Sequence, residues 1–226
     1  MPVNLSKFAV LTLVFILVAG CAGVHPASRI IVQDPQTIVR LDIDTSIKGP
    51  DDPDRYTHPA EIEVGQLQKI FAAIRIQPQL LMLQKKRDIG VAEEVHKHRV
   101  FETDEIATLA SIVKDAFSQA SPQERVVFGL TKPSGIEAET HQEATWGEMY
   151  IKDQQLHFIL SCHRLSGEGG KRFAECRELT RQGFELSFTQ KERFVGFGKP
   201  RILFGNGTKE LIIGIGIIAS STPTGL

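Results

Sequence analysis

The sequence predicts an α+β fold, two N-terminal helices packed on a mainly antiparallel sheet. Three observations lead to it. Between Pro59 and Phe117 apolar residues recur at spacings of three and four, the period of a helix with one buried face. Beyond Pro122 the period changes to two, the alternation of a strand with one face inward. Asn206-Gly207 between two apolar runs is a hairpin signal, which favours antiparallel pairing.

The first helix is expected from about Pro59 to Ala73. Thr57 is a capping residue type, Pro59 suits a first turn, and Glu61 and Glu63 suit the positive end of the helix dipole. Val64, Leu67, Ile70, Phe71 and Ile74 then form one stripe. Ile74-Arg75-Ile76 reads as a short strand stopped by Pro78, and the charged stretch through Lys85-Lys86-Arg87 to His96-Lys97-His98-Arg99 reads as a solvated connector. The second helix has a Thr103 cap, Asp104 and Glu105 in its first turn, a stripe of Ile106, Leu109, Val113, Ala116 and Phe117, and a stop at Ser121-Pro122.

Strands are expected at Arg125 to Leu130, Ala144 to Ile151 and Gln155 to Leu165, the last two joined around Lys152-Asp153-Gln154. Phe184 to Phe188, Arg193 to Phe197, Arg201 to Phe204 and Glu210 to Ile215 complete the set, with Gly170 to Arg181 helical or irregular. Upstream, residues 21–58 read as a tether with one possible short strand at Thr37 to Leu41, because Pro26, Pro35, Pro50 and Pro53 punctuate it and Gly49 to Asp54 cannot sustain a helix. Residues 59–226 then form a single α+β domain.

The amino end has its own grammar. Lys7 precedes an apolar run from Phe8 to Leu17 that ends in Val18-Ala19-Gly20-Cys21. This is the pattern of a secretory signal. A spanning helix needs about 20 apolar residues, and Phe8 to Val24 falls short of that. Leu17-Val18-Ala19-Gly20-Cys21 resembles the lipobox of bacterial lipoproteins. The resemblance implies that residues 1–20 are removed as signal peptide, that the Cys21 thiol takes diacylglycerol, and that the new amino terminus is acylated, palmitate being the expected chain. The mature chain would stay on the bacterial envelope membrane without crossing it, since several acyl chains hold durably. Ala22, where an aspartate would signal retention, resembles the pattern sent to the outer membrane. His58-Pro59 before one helix, Thr103-Asp104-Glu105 opening the next and a following hairpin resemble uncharacterised bacterial lipoproteins, a likeness that brings no site with it.

Of 226 residues, 26 are basic and 27 acidic; cleavage would remove Lys7 and no acid. That balance argues against nucleic acid as a partner and offers no polybasic membrane patch. Three cysteines occur, Cys21, Cys162 and Cys176. Alternation along Gln155 to Leu165 places Leu156, Phe158, Leu160 and Cys162 on the core side and His157, Ile159, Ser161 and His163 on the other. Cys162 pointing inward suits either a structural disulfide to Cys176 or two buried free thiols, and no Cys-x-x-Cys suggests redox work.

No catalytic constellation is legible. His157 and His163 lie about 20 Å apart along a strand, too far to share an ion, and His96 and His98 stand among opposing cations. No metal or cofactor is expected. Gly214-Ile215-Gly216-Ile217-Ile218-Ala219 matches a dinucleotide fingerprint by letter without the βαβ unit that would make it work. Asn206-Gly207-Thr208 is a turn before it is a glycosylation acceptor. Glu143, Glu148 and Glu185 read as solvent-facing charges, the alternative being that they meet across a sheet. Trp146, Glu148 and Tyr150 share a strand face, which suits packing beneath a helix or an aromatic binding surface. The expected role is a non-catalytic envelope lipoprotein that binds an envelope protein partner or supports an assembly. The alternative is a periplasm-facing hydrolase or small-ligand-binding protein, which a deep pocket with convergent polar groups would favour.

Overall fold

The computed structural model describes residues 28–78, 97–133, 141–168, 183–198 and 209–216. Cys21 and Cys176, the Asn206-Gly207 turn, and the stretches at 170–181 and 201–204 lie outside the described residues. Among the described residues two helices and two antiparallel sheets form an α+β fold. The elements are β1 (Arg29–Gln33), β2 (Thr37–Ile43), α1 (Val64–Ala73), β3 (Ile74–Pro78), β4 (His98–Arg99), α2 (Thr103–Gln119), β5 (Glu124–Pro133), β6 (His141–Lys152), β7 (Gln155–Glu168), β8 (Phe184–Phe188), β9 (Phe194–Phe197) and β10 (Glu210–Gly214). The larger sheet runs β1-β2-β5-β6-β7-β10-β9 and the smaller β4-β3-β8.

Both helices and the inner side of the small sheet pack on one face of the large sheet. The α2 stripe, Ile106, Leu109, Val113, Ala116 and Phe117, is buried as its spacing requires, and Leu67, Ile70 and Phe71 bury the matching face of α1. Phe101 sits at the centre, with ring centroids 5.5 Å from Phe71, 5.8 Å from Phe128 and 5.9 Å from Phe158. One aromatic residue thus joins helix layer to sheet, and such pairs stabilise by about 1 kcal/mol beyond the area they bury.

The helices lie mid-chain, after two strands, so their expected N-terminal position is corrected. The tether expected over 21–58 is also replaced, from Arg29 onward, by folded structure. β2 pairs with β5 from Thr37↔Leu130 to Ile43↔Glu124, and β1 closes that edge of the sheet. Pro35 lies in the bend between β1 and β2, and Pro50 and Pro53 lie in turns before α1. Arg29 gives a specific reason for the docking of β1: its guanidinium bonds both oxygens of buried Glu124 at 2.9 and 2.7 Å and the carbonyl of Gln119 at 2.8 Å.

The first helix starts five residues later than Pro59. Residues 56–60 are tied instead to other backbone: Tyr56 N–H donates to Pro122, Thr57 to Ile151 and Ala60 to Phe117. The His58-Pro59 bond is cis, which no helical turn accommodates. α2 starts where expected, at Thr103, although the capping position is Glu102, whose N–H donates to the Glu105 carboxylate at 2.7 Å. The β6–β7 turn at Asp153-Gln154 has positive φ at both residues, 50° and 61°, as a tight two-residue hairpin requires.

Candidate functional site

Strict alternation along β7 fails at two places, and this failure builds the site. Trp146 pairs with Cys162 and Gly147 with Leu160, so Ser161 is an extra residue; Ala144 pairs with Leu165, so a second extra residue lies between Cys162 and Leu165. Each bulge exchanges the faces beyond it. Leu156, Phe158 and Leu160 stay in the main core, while Cys162 passes to a separate cluster with Val127, Ala144 and Trp146 on the far side of the sheet. The expectation that Cys162 continues the core side is therefore corrected. Cys162 is fully buried and disulfide-bonded.

The same bulges separate the two histidines that alternation placed on one face. His157 stays on the sheet's outer face, where its Nδ1 lies 2.8 Å from Glu210. His163 is turned to the helix side, with Nε2 3.1 Å from the Val100 carbonyl, which requires that nitrogen to carry the proton. Burial pushes the His163 pKa down and keeps the ring neutral at pH 7. Arg164 follows it to the start of α2, where its guanidinium meets Glu102. Arg164 holds a φ of 46°. That left-handed conformation costs a non-glycine residue roughly 1 kcal/mol, and strain of this kind gathers at functional sites.

These side chains border a cleft of about 1230 Å³ between the start of α2, the small sheet and the bulged end of β7. Its apolar wall is made by Ile76, Phe101, Ala107 and Phe184; Gln77, Arg99, Glu102, His163 and Arg164 supply polar groups. The acid at its mouth is neutralised. Glu102 takes hydrogen bonds from Lys132, at 2.9 Å, and from Arg164, which hold its carboxyl below the usual range. Arg99 has no carboxylate partner among the described residues and faces Arg75 directly across the β3–β4 pair. Arg75 donates to the carbonyls of Ala72 and Ile74, and burial, with the Arg99 charge as a second cause, lowers its pKa.

A second polar cluster lies on the outer face of the large sheet. Tyr56 stacks on Tyr150 and Tyr150 on His157, each at 4.4 Å between centroids. Glu210 accepts from the Tyr150 hydroxyl at 3.1 Å, and Arg125 bonds Glu148 at 3.0 Å. Burial chiefly, and Asp44 next, raise the Tyr56 pKa. Every group here is engaged by a neighbour, so the cluster fastens β6, β7 and β10 together.

Of the sequence candidates, Trp146, Glu148 and Tyr150 do share a face, but it is the one turned away from the helices. Trp146 is 5% exposed, with the Arg40 guanidinium 5.5 Å above its ring, so neither packing beneath a helix nor an open aromatic surface describes it. Glu185 accepts from Gln77 at 3.1 Å in the small sheet, apart from Glu148 in the large one. Among the described residues no group of three or more His, Cys, Asp or Glu has the geometry of a metal site, and no helix is long and apolar enough to cross a membrane. Of the cleft lining, the sequence singles out Ile76, His98, Arg99, Thr103, Asp104, His163 and Phe184, each for another role. No local signal brings β4 beside the end of β7, since more than 60 residues separate them. Compared with known proteins, the chain matches no family model, no curated protein and no solved structure.

Proposed function

We propose that this chain is a lipid-anchored envelope protein with a non-catalytic binding role, and that the cleft at the start of α2 is where it binds. The cleft itself carries this reading. It is large, its wall is mostly apolar, and polar groups from four separate elements converge on it, the arrangement of a small-molecule site. Binding is favoured over hydrolysis because the carboxylate of Glu102 is already engaged by two cations, and the other carboxylate of the lining, Asp104, lies 3.7 Å from one of them, Lys132. The cleft adds a small ligand to the envelope protein partner expected from the sequence.

The anchor rests on the Leu17 to Cys21 pattern. With β1 starting at Arg29, the chain from Cys21 to the sheet spans at most about 29 Å even when fully extended, so the body is held close to its membrane. Two measurements test the reading. Cells grown with labelled palmitate should label the native protein and not Cys21→Ser; equal labelling removes the anchor. The neutral apolar dye N-phenyl-1-naphthylamine should brighten on binding, and Ala107→Trp, which fills the cleft from an exposed helix position, should abolish this. Unchanged binding in that variant removes the cleft.

A further inference from the structure

The charges around the cleft are unevenly satisfied. Glu102 is neutralised by Lys132 and Arg164, and Asp104 also lies 3.7 Å from Lys132. Arg99, on the opposite wall, has no carboxylate among the described residues, and the residue paired with it across the strands is a second arginine. Like charges placed directly opposite destabilise a strand pair. Arg75 does not line the cleft, but an anion held there at Arg99 would offset that repulsion, and arginine forks suit carboxylate oxygens. Ile76, Phe101 and Phe184 share the cleft lining with Arg99 and supply the surface that an alkyl chain needs.

Resting on the binding role assigned above, we infer that the cleft takes a single-chain amphiphile with an anionic head, its chain along the apolar wall and its head at Arg99.

The test uses the lipidated protein in phosphatidylcholine nanodiscs, with empty nanodiscs as reference. The probe is 11-(dansylamino)undecanoic acid, displaced by dodecanoate or by dodecanol. Dodecanoate should compete about tenfold better than dodecanol, and Arg99→Gln should erase that difference by weakening dodecanoate alone. Ala107→Trp should weaken both. Equal competition by acid and alcohol overturns the anionic head and leaves the cleft reading intact. Unchanged binding in Ala107→Trp, or no binding at all, overturns both. Displacement of the probe when phosphatidylglycerol is included in the nanodisc overturns the single-chain ligand in favour of a bilayer lipid.

Discussion

The indole of Trp146 lies over Gly129, where a Cβ added to the glycine would come 2.3 Å from two ring carbons and 2.8 Å from Ile38. Strand register places the two residues opposite each other on β5 and β6. Gly129→Ala should therefore destabilise by about 1–3 kcal/mol, the usual cost of overpacking. Gly65, inside α1, meets nothing within 4 Å, and Gly65→Ala should be neutral or stabilise by up to about 1 kcal/mol. Urea denaturation of both variants reads the contrast. Equal midpoints would mean that the indole is not seated there.

Arg29 and Glu124, 95 positions apart, form the bidentate pair that closes β1 onto the body. The Arg29 hydrogen bond, against the opposing effect of burial, holds the Glu124 carboxyl at about 2. Arg29→Ala leaves a carboxylate whose side chain is 7% exposed without its cation, and should cost about 2 kcal/mol. Limited proteolysis should then cut at 28–33 in this variant first. Native resistance there would show that β1 docks by its other contacts.

His58 makes stability depend on pH. Its Nε2 accepts from the Ile151 N–H at 3.0 Å, its Nδ1 has no partner, and burial pushes its pKa down to about 4 against the pull of nearby backbone carbonyls. A histidine with a folded pKa below its unfolded value binds fewer protons when folded, so its contribution is complete above about pH 6.5 and falls away as pH drops towards 4. The loss should reach about 3 kcal/mol, with His163 adding to it in the same direction. Glu124 and Asp44, both held at about 2, remove further stability only as pH falls below about 4.5. Denaturation midpoints between pH 7 and 4.5 should fall steadily, and His58→Gln should flatten the curve. A flat native profile over that range contradicts the assignment.

Cys162 should be bonded to Cys176, closing a loop with 13 residues between them and contributing about 3 kcal/mol. Peptide mapping without reduction should recover that pair. A link from Cys162 to Cys21 would refute the pairing and the lipidation together, because a sulfur alkylated by diacylglycerol cannot form a disulfide.

The sequence by itself determined the local elements whose period is unbroken. α2 was legible from its stripe and acidic first turn, β8 from five alternating residues, and the β6–β7 hairpin from two alternating runs around a short turn. In each case the information lies within one element: a helix or strand must bury one face, and spacing alone names it. The order of Leu17 to Cys21 likewise carries the expected address. Only the tertiary structure decided that 29–58 belongs to the body, because a segment punctuated by proline is still extended where β5 offers a free edge to pair with. Only it decided that Cys162 and His163 leave the faces that alternation assigns them, because a bulge is set by pairing with the neighbouring strand and leaves no mark in β7 alone. The cleft rests on the same cause: Arg99, Glu102 and His163 are brought together by β3–β4 pairing, a helix start and a bulge, three relationships between segments that no one stretch of chain records.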